Sequence, residues 1–186
     1  MPVLACLGGS LRERSVTRAA LQAAASTARD KGFDIDWLDV RELNLPMYLP
    51  DINSPDEYEQ PHQDNIRRFL NSCRRADAMI WASPTYHGTM SGVIKNALDF
   101  VELLSKDARP YLHQMPVGLI AVNDSVTFSS MMNAVYELRA WLAPTMVLVR
   151  RDCFDPELQI LQDERIQRRL NRLVDNLLFF LETRQN

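Results

Sequence analysis

The residue types and spacings that could do chemistry fall in two short polar segments. The first is Gly8-Gly9-Ser10-Leu11-Arg12-Glu13-Arg14-Ser15, and the second is Ser83-Pro84-Thr85-Tyr86-His87-Gly88-Thr89. Each follows an apolar run and precedes a helical repeat. The first segment opens a helix, where unpaired backbone amides and the positive end of the dipole make an anion site. Hydroxyls of Ser10, Ser15 and Thr17 can donate to the anion, and Arg12 adds a charge-assisted bond. The same residues also fit a plain capped helix whose serines serve only the backbone. In the second segment Gly88 permits close backbone approach, and Tyr86 offers an apolar face with a polar tip. His87 reads as a rim residue. Ser91 is expected to cap the helix that follows, and Gly92 to let the backbone enter it tightly.

Several chemistries lack their residues. The chain has no G-x-G-x-x-G dinucleotide fingerprint and no G-x-x-x-x-G-K-[ST] loop for nucleotide hydrolysis. It has no G-x-S-x-G nucleophile elbow either. His62, His87 and His113 are scattered without ligand spacing, so no metal site is expected. Cys6, Cys73 and Cys153 form no C-x-x-C pair and read as ordinary reduced thiols. Lys and Arg number 21 against 24 acids, a net charge of −3, which argues against nucleic acid as a partner. No apolar run reaches the roughly 18 residues of a membrane span. The segment Met1–Leu7 is apolar but has no basic flank, so it reads as a first strand rather than a signal peptide. The expected location is the cytoplasm or another reducing compartment.

The elements that position the two segments follow from periodicity. Val3 to Leu7 is a continuous apolar run, as in a central parallel strand covered on both faces. A helix is predicted from Ser15 to Lys31, with an alanine-rich face and Gly32 as its stop. Phe33, Ile35 and Trp37 alternate in a second strand, and Met79 to Trp81 form a third. Between them, Asp39 to Gln60 is polar and proline-rich, the longest irregular stretch, and Pro61 to Ala76 is amphipathic. The helix from Ser91 carries Val93, Ile94, Ala97, Leu98, Val101 and Leu104 on one face. Pro116 to Val122 is a fourth strand, Ser125 to Leu142 a helix with Trp141 on its apolar face, and Thr145 to Val149 a fifth strand. Asp163 to Glu182 closes the chain as a long helix, apolar nearly all round from Leu177 to Leu181. This β-α alternation, without repeat or linker, predicts one domain over residues 1–186 with a parallel sheet and right-handed crossovers.

The motifs carry a resemblance. Pro84-x-Tyr86-His87-Gly88-Thr89-x-Ser91-Gly92-x-x-Lys95-Asn96-Ala97-Leu98-Asp99 resembles the signature loop of the NADPH-dependent FMN reductase family. Gly9-Ser10-Leu11-Arg12-x-x-Ser15 resembles that family's phosphate-binding loop, and Asp39-x-x-x-Leu43-x-Leu45-Pro46-x-Tyr48 its second-strand exit. The resemblance runs from Pro2 to about Val149.

It implies a flavodoxin-like, doubly wound five-stranded sheet of order 2-1-3-4-5 with helices on both faces. The first and third strands then flank the switch point where such sheets hold ligands. It also implies FMN as cofactor, NADPH or NADH as co-substrate, and hydride transfer to the flavin and on to a small-molecule acceptor. A free flavin, a quinone, an azo compound or a metal oxyanion would serve. No side-chain acid or base is required, because the flavin carries the chemistry. The implied cofactor residues are Ser10, Arg12, Ser15 and Thr17 at the phosphate, and Pro84, Thr85, Tyr86, His87, Gly88 and Thr89 at the ring. Backbone N–H groups of Gly88 and Thr89 are expected to meet negative charge on the reduced ring.

The third flavin loop departs from the family. It reads Asn123-Asp124-Ser125-Val126-Thr127-Phe128-Ser129-Ser130, without the usual glycines, so Asn123 and Ser125 are expected to supply side-chain donors instead. Thr17 stands where the family usually has Asn, and Arg14 is a candidate for the ribose phosphate of NADPH. Relatives assemble as dimers or tetramers, and the apolar terminal helix fits a homodimer or homotetramer. Two other readings fit the same fold: an electron carrier of the flavodoxin type, and a regulatory protein that has lost its flavin.

Overall fold

The computed structural model describes residues 1–155, 157 and 160–184. Five parallel strands form one sheet in the order β2-β1-β3-β4-β5. They are β1 Val3–Gly8, β2 Asp34–Asp39, β3 Ala78–Pro84, β4 Pro116–Val122 and β5 Trp141–Val149. The helices are α1 Val16–Asp30, α2 Val40–Leu43, α3 His62–Arg75, α4 Gly92–Asp99, α5 Thr127–Glu137 and α6 Glu164–Arg184. A small antiparallel pair, β6 Phe154–Asp155 and β7 Ile160–Leu161, leads into α6.

The period of two along each strand divides the core into two layers. Met79 and Trp81 face one cluster with Leu7, Leu119, Phe69 of α3, Ile94 of α4 and Met131 of α5. Ile80 and Ala82 face the other with Leu4, Cys6, Ile120, Ala24 of α1 and Leu173 of α6. Both layers are closed to water, which is why β3 and β4 are apolar throughout instead of alternating. Burial pushes the Cys6 thiol up to about 12, and does the same to Cys73.

The sheet's two edges are treated alike. On β5, Arg169 donates to the Met146 carbonyl at 2.6 Å, and Pro144 interrupts the strand's donors where its register against β4 shifts. On β2, Arg68 donates to the Trp37 carbonyl at 3.2 Å, and Asp36 pairs with Arg75 at 3.0 Å.

Three sequence expectations need correction. The helix predicted over Ser125–Leu142 is only Thr127–Glu137, and β5 begins at Trp141, not Thr145. Leu138 and Trp141 continue the helical spacing, which hides the stop. Arg139 takes a left-handed conformation at φ 60°, and Ala140 N–H donates to the Val135 carbonyl at 3.0 Å. This is a Schellman-type cap built without glycine. The helix from Ser91 stays α-helical to Asp99 and tightens into a 3-10 turn over Phe100–Leu104. The stretch from Asp39 to Gln60 contains α2 and a 3-10 turn at Pro55–Glu57, so it is less irregular than its composition implies.

Candidate cofactor site

The site is assembled at the carboxyl ends of β1, β3 and β4, and it starts with a glycine. Gly9 N–H donates to the Ala82 carbonyl at 2.8 Å, so the first loop leaves β1 pressed against β3. A Cβ on Gly9 would sit 2.9 Å from Ser91 Oγ and 3.0 Å from Ile94 Cβ, so only glycine fits. Beyond it, Ser10 Oγ accepts from Arg12 N–H at 3.4 Å and Ser15 Oγ caps α1 by accepting from Arg18 N–H at 3.1 Å. Both hydroxyls use an oxygen lone pair on backbone, and their protons have no acceptor among the described residues. The capped-helix arrangement and an anion site therefore coexist in the same serines.

Arg18, which sequence reasoning missed, holds this loop in place. Its guanidinium donates to the Glu13 carbonyl at 2.8 Å and to Asp39 at 2.6 Å. Asp39 in turn caps α2 by accepting from Arg41 N–H at 2.9 Å. The only sequence signal for this joint was Asp39 itself, at the end of the second strand.

The second loop makes a tight reversal. Tyr86 and Thr89 exchange backbone hydrogen bonds at 3.0 and 3.1 Å around His87 at φ 49° and Gly88 at φ 78°. Two positive φ values in succession are the pattern of a type I′ turn. Thr89 N–H is thus engaged by Tyr86, leaving Gly88 N–H without a backbone partner among the described residues. Of the two amides expected to face a ring, only Gly88 is free. Ser91 does not cap α4 with its side chain: its hydroxyl donates to the Gly9 carbonyl instead, and its N–H donates to Ser83 Oγ at 2.9 Å.

Thr85 ties the second loop to the third. Its hydroxyl bonds the Val122 carbonyl at 2.9 Å and accepts from Thr127 Oγ1 at 2.7 Å. Asn123 holds φ 81°, a left-handed turn made without glycine.

Ser10, Arg12, Ser15, Thr17, Pro84, Thr85, Tyr86 and Asn123 line one cleft of about 250 Å³, joined by Arg14 and by Arg151 from beyond β5. Tyr86 also lines a neighbouring cleft of about 710 Å³ with His87, Thr89, Met90 and residues of α4 and α5. Its walls are largely apolar, with Leu98, Ala134 and Leu138 among them. Ser125 is not brought to either. It lines a separate cleft beside β5 with Phe128 and Arg172. Asn96, absent from the sequence list, donates to the Pro46 carbonyl at 2.8 Å and accepts from Tyr48 N–H at 2.9 Å. It fastens the long loop after α2 onto α4. Lys95 pairs with Asp99 on the same helix.

A model of the NADPH-dependent FMN reductase family matches residues 1–154. The chain belongs to that family. It is therefore an FMN-dependent NAD(P)H oxidoreductase, and the anion-ready cleft beside the turn fits such a cofactor. An FMN-dependent NADPH-azoreductase of Staphylococcus saprophyticus is 27% identical over 181 residues, covering 94% of this chain and 92% of the relative. An NAD(P)H-dependent FMN reductase of Pseudomonas aeruginosa is 28% identical over 180 residues, covering 90% of each. In fold, the chain is similar to a flavoenzyme NAD(P)H:(acceptor) oxidoreductase from Paracoccus denitrificans, with a TM-score of 0.74, 17% identity and 98% of each chain covered. Among the described residues, no helix is long and apolar enough to cross a membrane. Among the described residues, no group of three or more His, Cys, Asp or Glu is placed to hold a metal.

Proposed function

We propose that this member of the family binds FMN with its phosphate in the cleft of Ser10, Arg12, Ser15 and Thr17 and its ring across Pro84 to Thr89. One observation carries the reading: three loops from β1, β3 and β4 line one cleft that holds guanidinium and hydroxyl groups and no carboxylate. At about 250 Å³ the cleft is smaller than a typical small-molecule pocket of roughly 300–1,000 Å³. It suits the phosphate and its chain, and leaves the ring to the open turn beside it.

When bound, the flavin supplies the redox chemistry, accepting hydride from NAD(P)H and returning electrons to an acceptor. The chain's own residues bind and orient. Arg12, the α1 amides and the free protons of Ser10 and Ser15 neutralise the phosphate. Thr85 and Asn123 set the shape of the cleft from its third side. Gly88 N–H offers a donor for charge that develops on the ring. The apolar cleft between α4 and α5 shares Tyr86, His87 and Thr89 with the ring turn, and is where a flat quinone or azo acceptor fits best.

The reading extends to one cofactor-binding unit spanning the chain, working in the cytoplasm as a homodimer or homotetramer. Support for assembly comes from large apolar side chains left in water: Tyr136 is 79% exposed, Phe179 66% and Trp141 50%. The test of function is an anaerobic titration of the FMN-loaded protein with NADPH and NADH, read in the visible spectrum. Stoichiometric bleaching is expected. Bound flavin that neither donor bleaches would make the chain a carrier, and absence of flavin binding would make it a flavin-free regulator.

A further inference from the structure

The cleft holds more positive charge than one phosphate uses. Arg12, Arg14 and Arg151 all line it, and none has an ion-pair or hydrogen-bond partner for its guanidinium among the described residues. Their neighbours are different. Arg18 pairs with Asp39, Arg41 with Glu13 at 3.1 Å, and Arg150 with Asp152 at 3.5 Å. No acid lines the cleft to balance the three. Unpaired cations converging on one concavity repel each other, so they are at rest only when an anion joins them. A flavin phosphate brings a charge of about −1.5 to −2. Arg12, the helix dipole and two serine hydroxyls already answer it.

Arg14 and Arg151 remain. They come from two different segments, Arg14 from the loop after β1 and Arg151 from the turn after β5. Resting on the FMN assignment above, we infer that Arg14 and Arg151 form a second phosphate clamp that takes the 2′-phosphate of NADPH and selects it over NADH. Two planar guanidinium groups lining one cleft supply the kind of fork donors with which arginine recognises a phosphoryl group. The clamp lines the same cleft as Ser10, Arg12, Ser15 and Thr17, so donor recognition and cofactor retention share one electropositive surface.

The inference is tested by calorimetry with two probes, adenosine 2′,5′-bisphosphate and 5′-AMP, at one ionic strength. The wild-type, FMN-loaded protein is expected to bind the bisphosphate at least tenfold more tightly. In the Arg14→Ala/Arg151→Ala double variant that ratio is expected to fall to within twofold of one, with FMN affinity reduced less than threefold. Arg14→Lys/Arg151→Lys should keep part of the ratio, which separates charge from fold. An unchanged ratio in the alanine variant overturns the inference. So does a loss of FMN affinity as large as that of Arg12→Ala, since both arginines would then serve the flavin. Repeating the titration on flavin-free protein keeps the two claims apart: a chain that refuses FMN but still discriminates the 2′-phosphate keeps the clamp and loses the flavin assignment.

Discussion

The Ser91 hydroxyl donates to the Gly9 carbonyl at 2.6 Å, across 82 residues of sequence. Both residues are buried, and the bond joins the phosphate loop to the start of α4 just behind the ring turn. The two loops of the candidate site are therefore joined by this bond as well as by Gly9 N–H on Ala82, with Gly9 bare because Ser91 stands where its side chain would be.

Ser91→Ala should leave the Gly9 carbonyl buried and unpaired, at a cost of about 1–3 kcal/mol. For a chain of this size that lowers Tm by roughly 2–4 °C per kcal/mol. FMN affinity should fall with it, since both loops lose their common reference. Calorimetry and flavin fluorescence check the two effects. An unchanged Tm would mean the bond does not hold the loops.

Gly88→Val forces a β-branched residue into φ 78°, a strain of about 1–2 kcal/mol. A Cβ there meets no atom within 4 Å, so the fold should survive. FMN binding should drop at least tenfold as the turn rearranges. A folded variant with wild-type affinity would remove Gly88 from the site.

Riboflavin has FMN's ring without its phosphate, so it tests the first loop alone. Charge-assisted bonds of roughly 1.5–3 kcal/mol each, offset by desolvating the dianion, leave a net of about 3 kcal/mol. That is about a hundredfold in affinity, and FMN should bind at least tenfold more tightly than riboflavin. Arg12→Ala should narrow the gap by weakening FMN and sparing riboflavin. Equal affinities in the wild-type protein, by fluorescence quenching, would exclude a phosphate site at Ser10 to Thr17.

The thiols should divide by burial. Cys6 and Cys73 are fully buried with their pKa pushed up to about 12, while Cys153 is half-buried. Alkylation of the native protein at pH 8 should label Cys153 and spare the other two until the chain unfolds. Because the unfolded thiols ionise first, stability should decline as pH rises from about 9 towards 12. Each thiol contributes at most about 1.4 kcal/mol per pH unit. Native labelling of Cys6 or Cys73 at the rate of Cys153 would contradict this.

Phe179 is the residue with which to test assembly. Phe180 stacks edge-on to Trp141 with ring centroids 4.4 Å apart, so changing it disturbs the fold as well. Phe179 is 66% exposed and free of that contact. Phe179→Glu should lower the mass measured by light scattering and leave Tm within about 2 °C. An unchanged mass would clear this face of α6 as an interface.

The sheet and most of its helices were legible because Ala78 to Pro84 and Pro116 to Val122 are apolar without interruption and the helices between them keep a clean period. The end of α5 was not, since Arg139 adopts a glycine's conformation with an arginine's side chain. Ser10, Arg12, Ser15, Thr17, Pro84, Thr85, Tyr86 and Asn123 were named from motifs and share one cleft. Arg18 and Arg151 were invisible to the same reading. Arg18 acts through Asp39, distant in sequence, and Arg151 reaches the cleft only through the fold, so neither leaves a spacing to detect. Ser125 lies apart because the turn at Asn123 carries the chain past the cleft before α5 begins.

The guanidinium groups on Met146 and Trp37 have a consequence for how copies of this chain can accumulate. An arginine side chain laid over an edge carbonyl obstructs an incoming strand, and Pro144 withholds a donor on the β5 margin. Indefinite cross-strand growth is therefore disfavoured at both margins of the native fold. Copies that associate are then expected to do so through side chains, with closed symmetry the commonest outcome. Turbidity on concentration should plateau with no lag phase, and seeding with fragments should not accelerate it.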